Sequence, residues 1–267
     1  TIIEGGAGSG KSASLVQPLI LELIKMNFCG FIYDLKGNPP TLSKTAYHAL
    51  LMYREKHNLQ SKYGMINLAR LSQSVAVNPI SSRYIKDKAD AMAASINFLK
   101  ALNPEWRDDS KQDFWAGNAY IVVGAAIYRL VIDEEMEPVR TLPHLISMLL
   151  KPADQVFNWL NSNEETQMMI SGVTDGMESP NQMSGVLTSF KNPLQKLVTS
   201  KLFWVLREDQ FSLDLNNPED PRILCLANDK ERREVYGPAL TLIGQVCKRQ
   251  MCNPGKVPSF FMIGLFA

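Results

Sequence analysis

The sequence is poor in the residues from which metal centres and disulfide frameworks are built. It has three histidines, His48, His57 and His144, isolated from one another along 267 residues. Its four cysteines, Cys29, Cys225, Cys247 and Cys252, lack the pair spacing of a zinc site. A histidine metal centre, a zinc ribbon and a disulfide scaffold are therefore excluded as organising principles. The cysteines read as buried thiols of a reducing compartment. Excess charge is lacking too: 28 basic residues face 27 acidic ones, a formal net charge of +1. Nothing global draws the chain to nucleic acid or to a membrane, so any basic groove must be local. The longest apolar stretch, Ala119 to Ile132, contains Arg129 and reads as too short to span a bilayer. No internal repeat and no low-complexity segment is visible.

What is present is a core-forming composition, 45% hydrophobic, enough for one large domain or two smaller ones. It also has a glycine-rich start, Gly5-Gly6-Ala7-Gly8-Ser9-Gly10-Lys11-Ser12. This fits the P-loop pattern of Gly, four residues, then Gly-Lys-Ser. Glycines permit positive φ and let backbone amides close on phosphate oxygens, and the helix that follows presents its amino end to the same anion. Lys11 would neutralise the β and γ phosphates of ATP, and the Ser12 hydroxyl would complete part of a Mg²⁺ shell. Both ends of the sequence look cut, as expected of a segment of a longer protein.

Apolar positions at Leu15, Leu19 and Leu23 predict a helix over Lys11 to Lys25, with Pro18 placed to bend it. Cys29 to Tyr33 predicts a buried parallel strand ending in Asp34. A helix over Leu42 to Lys56, a strand over Gly64 to Leu68 and a short strand over Val75 to Val77 follow. From Ser82 to Val198 helical periodicity dominates, with helices expected over Ala89–Leu102, Phe114–Ile132, Thr141–Leu150, Pro152–Leu160 and Gly185–Leu197. Arg222 to Ala227 then reads as a strand, Tyr236 to Met251 as a helix and Pro258 to Ile263 as a last strand. The pattern predicts an α/β fold with a mainly parallel sheet and an inserted all-α subdomain. Its expected boundaries are 1–81, 82–198 and 199–267.

Hydrolysis also needs an acid near the metal and an oriented water, usually from the end of a core strand. Asp34, with Lys36, sits at such an end, where open α/β sheets bind ligands. It is the candidate catalytic carboxylate beside Lys11, and an ordinary strand-end turn explains it equally well. Asn228, closing the Ile223–Ala227 run, is placed to sense a γ phosphate or to serve as a turn or helix cap. Gly264 stands where a Walker B aspartate is expected after the last strand. That leaves open an altered chain, residues absent between Ile263 and Gly264, or a protein without the usual acid.

With these residues placed, the sequence resembles the conjugative type IV secretion coupling proteins of the TraG and TraD kind, particularly Bacteroidetes versions. The resemblance lies in the Walker A loop Gly5 to Ser12 and in Tyr33-Asp34-Leu35-Lys36-Gly37, which is similar to the family's Asp-Pro-Lys-Gly box with Leu for Pro. Asn78-Pro79, Asp113-Phe114-Trp115 and Asn217-Pro218 follow in order. It implies a RecA-like P-loop NTPase core that uses ATP and Mg²⁺. It also implies a homo-hexamer on the cytoplasmic face of the bacterial inner membrane, with its anchor upstream. The implied cargo is relaxase-bound single-stranded DNA, delivered to type IV secretion channel components.

Other classes remain. A P-loop protein that binds nucleotide for regulation or assembly without sustained hydrolysis is favoured by Gly264. A phosphoryl transferase would need an acceptor motif that is not visible, and FtsK-like or HerA-like pumps share the same core. In the helical block, Trp106, Arg107, Lys111, Phe114 and Trp115 have the character to stack bases and contact phosphates. Phe114 and Trp115 open an apolar helix, however, and are expected in its core, and Asp108, Asp109 and Asp113 dilute the local charge. Lys230, Arg232 and Arg233 read as exposed loop charges, one of which would suit a neighbouring subunit's nucleotide.

Overall fold

The computed structural model describes residues 10, 12–34, 41–108, 114–175, 180–228 and 230–264. They form two compact units, one comprising Thr1–Val77, Gln210–Tyr236 and Ile243–Ala267, the other Asn78–Asp209 and Gly237–Leu242.

The first unit is built on four parallel strands: β1 (Cys29–Asp34), β2 (Lys62–Asn67), β3 (Arg222–Ala227) and β4 (Ser259–Gly264), in the order β2-β3-β1-β4. β1 lies between β3 and β4, and both its faces are covered, which is why its sequence is an almost unbroken apolar run. On one face Ile32, Ile223 and Cys225 pack against Ile20 and Ile24 of α1 (Gln17–Lys25) and Leu42, Ala46 and Leu50 of α2 (Thr41–Tyr53). Alternation sends Phe31 to the other face, where its ring stacks on Phe261 at 4.5 Å. Gly244, in the 19-residue helix Arg233–Met251, lies over Phe31, and a Cβ there would stand 3.2 Å from the ring. Burial pushes the Cys29 and Cys225 thiols up to about 11 and about 12, so both stay protonated packing groups.

Ion pairs clip the amino edge of this sheet. The Arg222 guanidinium binds Asp220 and lies 4.7 Å over the Phe211 ring, while Lys62 reaches the same carboxylate at 2.9 Å. Lys256 holds Asp214 at 2.7 Å. The segment Val75 to Val77 is not a strand. Val75 donates to the Met65 carbonyl at 2.9 Å and Ala76 accepts from Phe211 at 3.0 Å. The Ala76 amide goes instead to the Gln210 side chain, also at 3.0 Å, so no ladder propagates.

The second unit is helical: α3 (Lys88–Leu102), α4 (Phe114–Ile132), α5 (Leu142–Leu149), α6 (Ala153–Asn161), α7 (Glu164–Asp175), α8 (Pro180–Gln195) and α9 (Ser200–Val205). The helix Arg233–Met251 is then α10. Small residues let α3 and α4 approach closely. A Cβ on Gly124 would stand 2.4 Å from the Met92 sulfur, and the Ser95 hydroxyl bridges to the Tyr120 carbonyl at 2.8 Å. Helices α7 and α9 had no expectation from sequence. α7 carries little apolar periodicity of its own and is held by packing on α4. The reading of the 119–132 run as too short for a bilayer is corrected by α4 itself, whose 19 residues are long and apolar enough to cross one. Ten of them are buried against the rest of this unit, as in the core helix of a globular domain.

A close backbone approach in the sheet is at Gly30, whose φ of +156° would drive any side chain into the neighbouring strand: a Cβ would lie 2.2 Å from the Phe260 carbonyl oxygen. Gly30→Ala is expected to destabilise the protein by about 3 kcal/mol, measured by urea unfolding. A loss of less than about 1 kcal/mol would contradict this packing.

Candidate functional site: the carboxyl edge of the sheet

Because all four strands run the same way, their carboxyl ends fall on one edge. The register makes that edge a row: Asn67 pairs with Ala227, Ala227 with Asp34, and Asp34 with Gly264. Beyond Ala227, the Asn228 amide donates to the Asp34 carbonyl at 3.2 Å and extends the ladder by one step. Asp34, Asn67 and Asn228 are each buried to about 1% exposure, so three buried polar side chains share this edge. Buried polar groups persist only when paired or when they serve a ligand.

Their pairings differ. Asp34 Oδ2 accepts the backbone amides of Leu42 at 2.9 Å and Ser43 at 3.4 Å, in the first turn of α2. A carboxylate there satisfies two orphan amides and the positive end of the helix. Asn67 Oδ1 accepts from Ala69 at 3.0 Å and Arg70 at 3.2 Å, turning the chain out of β2. The Asn228 side-chain nitrogen meets the Tyr33 hydroxyl at 2.7 Å, and its oxygen has no partner among the described residues. Burial raises the Tyr33 phenol above its ordinary value, against the smaller opposing effects of the Asn228 hydrogen bond and the Arg233 charge, so it is a neutral hydroxyl. The hydroxyl accepts from one amide N–H, and the second Asn228 N–H is left to serve an anion.

Of the glycine-rich segment, Gly10 and Ser12 are described, and they lead into α1. Gly10 has φ +79°, and its carbonyl accepts from Ala13 at 3.0 Å, Ser14 at 2.9 Å and the Ser14 hydroxyl at 2.8 Å. Ser12 opens a wide π-type turn through Val16 that passes into α1. The change falls next to Pro18, which has no N–H to return to the Ser14 carbonyl. The turn and α1 together hold 14 residues, about 21 Å of helix, and β1 holds six, about 20 Å of strand. A short turn, 26–28, joins them and Ile20 and Ile24 pack on Ile32, so the helix runs back along β1. Its start therefore returns to the level of Asp34. Gly5, Gly6, Ala7, Gly8, Ser9 and Lys11 of the predicted phosphate cradle lie outside the described residues, as does Lys36.

The structure thus brings Asp34, Asn228 and Gly264 together. Gly264 is buried at the end of β4, directly beside Asp34, and it carries no acid. Among the described residues no group of three histidine, cysteine or acidic side chains is placed to hold a metal ion. The Tyr33–Asn228 contact was not anticipated. Its signal was the position of Tyr33, one residue before the strand end, on a chain whose pairing with β3 the sequence left unspecified. Arg232 and Arg233 are exposed.

No protein-family model matches the chain, and no curated protein matches it in sequence. Solved structures do match. The plasmid coupling protein TrwB in complex with ADP and Mg²⁺ aligns with a TM-score of 0.66 at 14% identity, over 97% of this chain and 54% of that one. TrwB in complex with the non-hydrolysable ATP analogue ADPNP gives 0.67 at 14% identity, over 98% and 55%. The bacterial conjugative coupling protein TrwBdeltaN70 with sulphate gives 0.64 at 13% identity, over 97% and 54%. The chain has the RecA-like P-loop NTPase fold of TrwB. It spans about half the length of these TrwB chains. Identities this low speak to the fold alone, so what TrwB binds remains a property of TrwB.

Replacing Asp34 tests the row. Asp34→Ala is expected to cost about 1–3 kcal/mol by leaving buried α2 amides unpaired, and Asp34→Asn, which keeps an acceptor oxygen, clearly less. Equal losses in chemical denaturation would show that the carboxylate does not hold α2.

Proposed function

We propose that the chain is the motor segment of a conjugative type IV secretion coupling protein, an ATPase that moves relaxase-bound single-stranded DNA toward the secretion channel. The reading is supported by a P-loop sequence, Gly5 to Ser12, and by the start of the helix that follows it, which returns to the level of Asp34 at the carboxyl edge of a RecA-like sheet. In this reading the amides of Gly5 to Gly10 cradle the phosphates of ATP, Lys11 neutralises the β and γ groups, and Ser12 is the protein ligand of Mg²⁺. The positive φ of Gly10 and the buried amide of Asn228 suit an anion at this edge. Mg²⁺ bound there would supply charge neutralisation on the phosphates. Asn228 would bind the terminal phosphate, positioned by Tyr33, and Asp34 would act chiefly by fixing the start of α2 against the site.

The block 82–198 is then an all-α domain inserted between two parts of the nucleotide-binding domain, 1–81 and 199–267. The hexamer, the inner-membrane anchor upstream and the secretion-channel partners belong to the same proposal. The resemblance in the ordered motifs and the TrwB fold support it.

A second reading follows from Gly264. With no acid beside Asp34 on β4, the chain would bind nucleotide for regulation or assembly and turn it over slowly or not at all.

Lys11→Ala separates the readings from chance. ATP turnover stimulated by single-stranded DNA is expected to fall about a hundredfold or more in the variant. Hydrolysis undiminished by the substitution would refute the motor reading. Tight binding lost with Lys11, in a wild-type protein without turnover, would select the regulatory one.

A further inference from the structure

Charge in the helical unit is segregated along the chain although the whole is balanced. Residues 133–175 carry eight acidic and two basic side chains, whereas residues 180–207 carry four basic ones, Lys191, Lys196, Lys201 and Arg207, and no acidic one. The basic segment comprises α8 and α9 and the tight turns between them, closed by Lys196 to Pro193 and Leu197 to Leu194 hydrogen bonds at 3.2 and 2.9 Å. Thr199 caps α9 through the Leu202 amide at 3.3 Å.

Two of the four charges are committed within the fold. Lys191 Nζ donates to the Lys151 carbonyl, and Arg207 pairs with Glu208 at 2.9 Å. Lys196 is exposed and Lys201 partly so.

Aromatic surface flanks these lysines. Trp204 lies under the Arg207 guanidinium at 4.5 Å. At the other end of α8, Gly185 leaves room for Trp115, since a Cβ there would stand 2.5 Å from the indole. Trp115 and Phe114 sit edge to face at 5.3 Å and remain 40% and 54% exposed. The expectation that this pair forms core is therefore wrong; Trp106 is the aromatic that buries, edge-on to Tyr120. The physical reason is that α4 meets its neighbours mainly through small residues, Ala116 and those further along, so the Phe114 and Trp115 rings keep much of their surface in solvent.

Exposed Phe114 and Trp115 beside the first half of α8, and the unshared lysines of a segment, 180–207, that carries no acid, combine the two elements by which sequence-tolerant proteins hold single strands: stacking on rings and neutralisation of phosphates. We propose that the α8–α9 edge of the helical unit is a contact surface for single-stranded nucleic acid. Lys196 and Lys201 neutralise the backbone, and Phe114 and Trp115 offer faces to bases. This deepens the motor reading and rests on it for the biological cargo, but it can be tested without ATP.

The double variant Lys196→Gln/Lys201→Gln changes only side chains that reach the surface. Binding of a fluorescein-labelled dT30 strand is measured by anisotropy across a salt series, without nucleotide. The variant is expected to bind at least fivefold more weakly at low salt, and its slope of log K against log salt is expected to fall by about 1.4, two phosphate contacts at ~0.7 each. Phe114→Ala is expected to weaken binding without changing the slope. An unchanged slope and affinity in the lysine variant would overturn the surface, as would displacement of dT30 by equimolar polyglutamate, which would mark an acidic protein as the partner. Failure of the wild type to bind dT30 would overturn it too. ATP binding that persists in any of these outcomes leaves the P-loop reading intact, which keeps the two failures distinct.

Discussion

The parallel alignment of four strand ends is the constraint on which the candidate site depends. Asp34 sits where it acts three times: its main chain pairs with β3 on one side and β4 on the other, its carbonyl receives Asn228, and its carboxylate receives the first amides of α2. A slip of one residue in β1 would reverse its faces and take all of these partners away together. The apolar run around Ile32 and the Phe31–Phe261 stack make such a slip costly. The core thus fixes the polar edge, and the polar edge holds the start of α2.

This division of labour accounts for the contact between buried Asn228 and half-buried Tyr33. An amide and a phenol joined at 2.7 Å between a core strand and the start of α10 form a rigid polar contact that does not depend on solvent. A nucleotide site needs such preorganised donors, because groups that must reorganise on binding lose affinity. Gly264 beside Asp34 is the feature that sets this edge apart from the acid-bearing edge expected of a hydrolytic motor.

Much of the fold was legible because its signals are local. Short apolar runs bounded by turn residues located β1, β2, β3 and β4 to within two residues, and period-3.6 patterns located α1, α3, α4 and α10. What failed to appear in sequence was non-local. Val75 to Val77 has strand composition, but the Gln210 side chain takes its central amide. α7 is a helix because α4 offers it a surface, and the Phe114–Trp115 pair is exposed because small residues carry the contacts of α4. Of the site, the strand-end position of Asp34 was legible, while the phosphate loop is read from its motif and its glycines and lysine, Gly10 apart, lie outside the described residues. The use of Asp34 to hold α2, and the Tyr33–Asn228 contact, required the strand order, which no periodicity encodes.

The most direct test of a nucleotide site at this edge is hydrogen–deuterium exchange of the whole chain with and without ATP and Mg²⁺. Protection is expected in peptides covering Gly5 to Ser14 and Ala227 to Arg233, with β2 and the α5–α7 region unchanged. Absence of protection in the glycine-rich peptide under saturating ATP, or protection confined to the helical unit, would contradict the account.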